Sequence, residues 1–350
     1  TLAKLNLYLG EIYLYLLRRY MTEQNLALSP EAYKRTVSRA SFAAICTALT
    51  LIVIKFAVVV MSNSISLYAS LMDSVFDVVC SIVNLLILRK ALKPADDDHT
   101  FGHGKLEYFG ILGQSIFIGT LAVMLIVSAV QRFSTPVPIE KTTASVIILI
   151  ISILMTAILV AYQQKIINLT NSEMIKVDQA HYKMDCLMNG SVALAIIFAH
   201  YGYAKVDLIL AIAIGVYMLW SVYGMLKTAF DGLTDRALPA SDIELIELTI
   251  QKHPRVLGIH ELRTRQAANT KYIQFHLELD NNILLREAHD ICDEIETTLQ
   301  AVFPDALVTI HPEPIQVAQQ EAQGNYQAKR DLELIDMVQS FVGQGSERKA

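Results

Sequence analysis

Charge is scarce in this chain, and several motifs that would assign a soluble function are missing. Only 18% of the 350 residues are charged against 53% hydrophobic, with a mean hydropathy of +0.39. That balance lies outside the range of a soluble domain of this size and reads as a membrane protein with a polar appendage. The four cysteines, Cys46, Cys80, Cys186 and Cys292, form no C-x-x-C pair. This argues against a disulfide framework or a thiolate zinc knuckle and leaves each as a small core hydrophobe. No H-E-x-x-H occurs, so an intramembrane metalloprotease would lack its general base beside the metal. No basic run interleaved with aromatics appears and the net charge is a modest −5, so nucleic acid is not an expected partner. Residues 1–30 are broken by Lys4, Glu11, Arg18 and Arg19 and hold no small-residue cleavage site. No signal peptide is expected there; an interfacial helix or an upstream extension with a natural start at Met21 fits residues 1–33 instead.

What the chain does have is long apolar runs. Six segments, approximately 40–61, 66–90, 107–130, 144–163, 176–199 and 206–229, each approach the roughly 20 residues that cross a bilayer. They predict a six-helix transmembrane domain over 34–232, with membrane lipid as its solvent. Arg18, Arg19, Lys34, Arg35 and Arg39 precede the first segment, whereas the turn Ser62-Asn63-Ser64 carries no basic residue. The second loop (Arg89, Lys90, Lys93, Lys105) and the fourth (Lys165, Lys176) are also basic, and this bias places both termini in the cytoplasm.

After Asp231 the composition becomes that of a small soluble domain, residues 233–317. Ser241-Asp242-Ile243-Glu244 reads as a capping box opening a helix to about His253. Leu257–Arg265 is a predicted strand. Tyr272–Asp280 alternates cleanly, with Ile273, Phe275, Leu277 and Leu279 on the buried side. Leu285–Phe303 has Ala288, Ile291, Ile295 and Leu299 at helical spacing, and Leu307–Ile310 is a final strand. The order αββαβ predicts an α+β layer with helices on one face of the sheet. The tail, 318–350, is polar and expected to be disordered, with Asp331–Val342 able to form a short amphipathic helix.

Three groups of residues carry chemistry. Asp73 and Asp77 stand four apart inside the second apolar segment, and His181 and Asp185 repeat that spacing in the fifth. Residues i and i+4 share one helix face, and charges at membrane depth cost several kcal/mol unless compensated. Three carboxylates and an imidazole form an N/O set that suits tetrahedral Zn²⁺ and tolerates Cd²⁺, Fe²⁺ or Mn²⁺. An imidazole ordinarily titrates near neutrality, so metal release from His181 can be coupled to protonation of the same ligands. In the loop after the second segment, Asp96, His99 and His103 have metal-ligand spacing, and Gly102 and Gly104 let the loop fold around an ion, although a solvated acidic turn accounts for them equally well. In the soluble domain, His260 and His276 fall on strands, His289 on a helix, and His311 and Glu313 follow the last strand. Acidic residues outnumber basic ones there, which favours cations over anions.

The stretches S-I-S-L-Y-A-S-L-M-D-S-V-F-D, P-A-D-D-D-H-T-F-G-H-G-K-L-E, H-Y-K-M-D and H-E-L-R-T-R-Q together resemble the cation diffusion facilitator family, most closely its bacterial zinc-exporter branch, over about 34–315. The resemblance implies a homodimer in the bacterial inner membrane. Alternating access at Asp73, Asp77, His181 and Asp185 would exchange cytoplasmic Zn²⁺ for protons in a secondary transporter rather than an enzyme. It further implies a loop site at Asp96, His99 and His103, and a metallochaperone-like soluble domain. There a structural or regulatory two-metal site at the dimer interface would use His260, His276, His289 and His311. The family pattern continues with an aspartate two residues after the last histidine; here that position is Glu313. Lys105 and Asp235 match a charged pair that ties the helices together near the cytoplasmic side. The competing expectation is a metal-sensing membrane protein or passive channel regulated through the soluble domain.

Overall fold

The computed structural model describes residues 30–62, 65–134, 143–200 and 206–320. Expectations for residues 1–29, for the turn at 63–64 and for the tail beyond 320 fall outside them. Among the described residues, six long helices come first: α1 Pro30–Ser62, α2 Ile65–Ala91, α3 Leu106–Ser134, α4 Thr143–Thr170, α5 Glu173–His200 and α6 Val206–Leu233. Five of them are long and apolar enough to cross a membrane, over Glu31–Val60, Ser70–Ala91, Leu106–Gln131, Val146–Thr170 and Leu208–Leu233. The helix outside that set is α5. It has the length, but Asp178, His181, Lys183 and Asp185 break its apolarity.

The bundle interior joins Ile111, Ile118 and Ala122 of α3 to Met218, Val222 and Met225 of α6, and adds Met174, Ile175 and Met184 of α5. Helices α3 and α6 approach closely: a Cβ built at Gly215 would lie 2.5 Å from Ile126 Cγ1. A small residue is needed there, as at many helix crossings in membranes. Large apolar side chains such as Phe56, Ile158 and Trp220 point outward, which suits a lipid surface rather than water. Several hydroxyls within the helices bond back along their own turn, as Ser115 Oγ donates to the Ile111 carbonyl at 2.6 Å, which spares those polar atoms exposure to hydrocarbon.

The second compact unit begins at Ala237 and is α+β. Its elements are α7 Ala240–Gln251, β1 Gly258–Ala267, β2 Thr270–Leu279, α8 Leu285–Val302 and β3 Ala306–Pro314. The sheet order is β1-β2-β3. Strands β1 and β2 are joined by a two-residue turn, hence antiparallel, whereas β2 and β3 are parallel with His276 opposite His311 and Glu278 opposite Glu313. Phe275, Leu277 and Leu279 pack on Ile291, Ile295 and Leu299 of α8 and on Leu245, Ile246 and Ile250 of α7.

Two expectations are corrected. The capping box does not form: α7 starts at Ala240 with Pro239 at its N-cap, two residues ahead of Ser241, and no side-chain cap bond. The Pro239 carbonyl accepts from Asp242 N at 2.9 Å and Ile243 N at 3.1 Å, and the Asp242 carboxylate turns instead to Lys271 Nζ at 2.6 Å. Residues 315–320 are helical, where the tail was expected to lose order from 318.

Leu299 is fully buried in this core and Leu307 is exposed. Leu299→Ala is expected to cost about 3 kcal/mol, which makes amide exchange through opening of the unit about 100-fold faster. Hydrogen exchange of the β2 amides checks this, with Leu307→Ala expected to leave it unchanged.

Candidate metal centres

Among the described residues, three groups place metal-ligating atoms within 4.8 Å of one another: Asp77, His181 and Asp185; Asp96, His99 and His103; and His260, His276 and Glu313. Each is built by a different piece of local geometry.

In the bundle, α2 presents Asp77 to α5, whose i and i+4 residues His181 and Asp185 share one face. His181 Nε2 lies 3.2 Å from Asp77 Oδ1 and 3.6 Å from Asp185 Oδ2. An imidazole thus bridges carboxylates from two helices. His181 is 4% exposed, and Asp185 Oδ2 is buried without a hydrogen-bond partner. Asp73 does not join this group and is exposed. Four residues of helix rise about 6 Å, so Asp73 and Asp77 share a face while only Asp77 is level with His181.

The loop cluster is folded by its own aspartate. Asp96 Oδ1 accepts from His99 N at 2.9 Å, a local turn bond, and Lys93 Nζ donates to Asp96 Oδ2 at 2.5 Å. His99 Nδ1 and His103 Nε2 approach the same carboxylate at 3.4 and 3.6 Å, with ring centroids 4.5 Å apart. His103 is buried and its Nδ1 is unpartnered. The Lys93 ammonium, with the His99 amide, holds the Asp96 carboxyl well below the usual carboxylate range.

In the soluble unit the strands supply the donors. His276 and Glu278 lie on the face of β2 opposite Phe275 and Leu277, and the parallel register brings His311 and Glu313 alongside them. Glu313 is 6% exposed, with its Oε1 2.7 Å from His260 Nε2 and 3.7 Å from His276 Nδ1. None of these three buried atoms has a well-directed hydrogen bond. Converging lone pairs left unsatisfied in this way fit a cation. Glu278 holds the other ring nitrogen, His260 Nδ1, at 3.0 Å, which fixes the orientation of the imidazole. The His311 ring lies 4.7 Å from that of His276, but His311 is exposed and outside the convergent trio. His289 is exposed on α8, 3.6 Å from Asp293 of its own helix.

Residues 41–234 match the cation efflux transmembrane domain, and residues 238–315 match the cation efflux protein cytoplasmic domain, a dimerisation module. The chain belongs to the cation efflux family. It is 38% identical over 291 residues to the cation-efflux pump FieF of Citrobacter koseri, covering 83% of this chain and 97% of that one. The same figures hold for the pump of that name from Salmonella choleraesuis. Among solved structures, the metal-bound C-terminal domain of the CzcD transporter from Thermotoga maritima is 23% identical, with a TM-score of 0.21, covering 22% of this chain and 95% of that one. As a cation efflux protein this is a multi-pass membrane protein of a metal-transporting family.

In this cation efflux protein Lys105 Nζ lies 2.9 Å from Asp235 Oδ1. Both side chains are more than a third exposed, so the pair contributes about 1 kcal/mol at most. Four residues escaped sequence reasoning. Lys55 is 4% exposed in α1 and donates to Ser74 Oγ at 2.7 Å and to the Ser70 carbonyl at 3.0 Å. Asp178 is buried in α5, its two oxygens accepting from Asn84 of α2 at 2.9 Å and Gln163 of α4 at 2.7 Å. Glu107 of α3 accepts from Met174 N at 2.9 Å, closing the first turn of α5. Glu278 is the fourth. The available signals were a lone lysine in an apolar run, a carboxylate three residues before His181, and period-2 spacing from His276.

Because Lys93 depresses the Asp96 carboxyl, the folded loop favours the ionised form. Its contribution is present above the unfolded value of about 3.9 and lost as pH falls through the lower folded value. Lys93→Met is expected to move Asp96 protonation up toward the ordinary carboxylate range. A carboxyl-carbon NMR titration checks this, and an unmoved Asp96 signal contradicts it.

Proposed function

We propose that this protein exports divalent metal cations, Zn²⁺ foremost with Cd²⁺, Fe²⁺ and Mn²⁺ as further substrates, across the bacterial inner membrane in exchange for protons. The observation that carries this reading is the convergence of Asp77, His181 and Asp185 from two helices inside the apolar bundle. In hydrocarbon, adjacent carboxylates need positive charge beside them, and either a divalent ion or protons on the same ligands supply it. Emptying and refilling one site with the two kinds of cation is antiport. Asp73, on the same face of α2, completes a four-ligand set when its side chain turns toward the metal. Three oxygens and one imidazole favour Zn²⁺ without strongly rejecting its neighbours.

Alternating access then requires the helices bearing the site to open to one side at a time, with both termini in the cytoplasm. Asp96, His99 and His103 form a loop site near the cytoplasmic start of α3. His260, His276 and Glu313, joined by His311 and by His289, form a two-metal site in the cytoplasmic domain of a homodimer. Zinc bound there would link protomers by drawing donors from both. Glu313, one methylene longer than the family's aspartate, keeps its oxygen within reach of two imidazoles. Lys105 and Asp235 act as a tie between helices. By this assignment residues 1–33 are an extension, 34–232 the transmembrane domain, 233–317 the metal-binding domain and 318–350 a tail.

In proteoliposomes with an imposed pH gradient, Asp77→Ala and His181→Ala are each expected to reduce zinc uptake to that of empty vesicles. Uptake surviving both substitutions would refute the transport site. Collapsing the gradient in the parent should also end accumulation, an outcome a passive channel would not give. His276→Ala is expected to weaken the dimer by about tenfold or more and to blunt the zinc dependence of transport. Analytical ultracentrifugation with and without zinc measures the first and initial rates the second; no change in either would remove the regulatory role.

A further inference from the structure

We propose that Lys55 is the fixed counter-charge of the intramembrane site, a positioning residue that sets the net charge, and hence the affinity, with which that site holds a divalent cation. The inference rests on the reading of Asp77, His181 and Asp185 as the transport site. It starts from an anomaly: Lys55 sits within the apolar span Glu31–Val60 and is 4% exposed. A lysine near a helix end would snorkel to the interface. This one is instead tied inward, its ammonium donating to Ser74 Oγ at 2.7 Å and to the Ser70 carbonyl at 3.0 Å. Ser74 is itself fully buried and stands between Asp73 and Asp77 in sequence. The ammonium is therefore pinned to the helix that carries the two aspartates without taking a ligand position.

The carboxylates to be counted with it are Asp73 and Asp77, which flank Ser74 along α2, and Asp185, which joins Asp77 through His181. Three ionised carboxylates and one ammonium leave a charge of −2, with His181 neutral as a metal ligand. A divalent cation brings that assembly to zero, a monovalent ion leaves it negative, and a trivalent ion makes it positive. In a low-dielectric interior the uncompensated charge dominates the cost, so the lysine matches the site to ions of charge two. The same positive charge repels the bound metal and keeps the site from becoming a trap, since removing it would leave a −3 site facing a +2 ion. Two hydrogen bonds hold the charge at a constant distance, so its effect does not depend on a flexible side chain finding the site.

Calorimetry on the full chain in detergent, in a His99→Ala/His276→Ala background that removes the loop and cytoplasmic sites, reads Cd²⁺ binding at the intramembrane site alone. Lys55→Met and Lys55→Gln are each expected to tighten binding by about tenfold or more, and Lys55→Arg, which keeps the charge, to bind as the parent does. Parent-like or weaker binding in folded Lys55→Met or Lys55→Gln overturns the proposal. Should both neutral variants fail to fold, the charge-balanced pair Lys55→Met/Asp73→Asn restores a net −2 and reads the same quantity. It should bind about tenfold tighter than Asp73→Asn alone, and equal affinity of the two overturns the proposal. Asp77→Ala, measured alongside, separates the two levels. If it retains parent binding, the site assignment fails; if it loses binding while the lysine variants do not tighten it, only the role of Lys55 fails.

Discussion

An ionised side chain inside the hydrocarbon region persists only beside a partner, and this constraint organises the polar residues of the bundle. They occur as small assemblies that join helices. His181 stands between Asp77 and Asp185 across α2 and α5, Lys55 bridges α1 to α2, and Asp178 links α5 to α2 and α4 through Asn84 and Gln163. Helix α5 participates in two of the three and is the least apolar of the six. Helix α5 is held among the others through His181 and Asp178, while its later turns expose Leu194 and Ile197 as the other helices expose their large apolar side chains.

The soluble unit meets a different requirement, since its donors must stay fixed while half in water. The sheet provides this by alternation: the face toward α7 and α8 is apolar, and the opposite face collects His260, His276, Glu278 and Glu313. Burial of Phe275, Leu277, Ile295 and Leu299 sets the positions of the ligating atoms indirectly, because the backbone that positions the core also positions the donors.

Much of this was legible in the sequence. The apolar runs located all six helices within a few residues, except that α1 and α4 extend well past them, because hydropathy ends at the interface while backbone hydrogen bonding continues. The alternation in 272–280 identified β2 and its buried face. The pairing of β2 with β3 was not legible, because periodicity says which face a residue occupies and nothing about its partner. Helical spacing put Asp73 and Asp77 on one face, but which of them is level with His181 depends on how α2 and α5 cross. His289 follows Ala288, the buried residue of its turn, and so faces solvent beside Asp293. Lys55 lies far in sequence from the residues it touches, and only the packing of α1 on α2 brings them together.

The pairing of His276 with His311 and of Glu278 with Glu313 carries one more implication. These donors occupy every second position along two neighbouring strands, so their convergence depends on the length of the chain between them as much as on their identity. Removing or adding a single residue near the start of β3 would keep every histidine and carboxylate in the sequence yet turn His311 and Glu313 toward the helices, leaving Ile310 and Pro312 against His276. Among relatives of this protein, insertions and deletions in the short connection from α8 to β3 should therefore be far rarer than substitutions, because length there is part of the binding site.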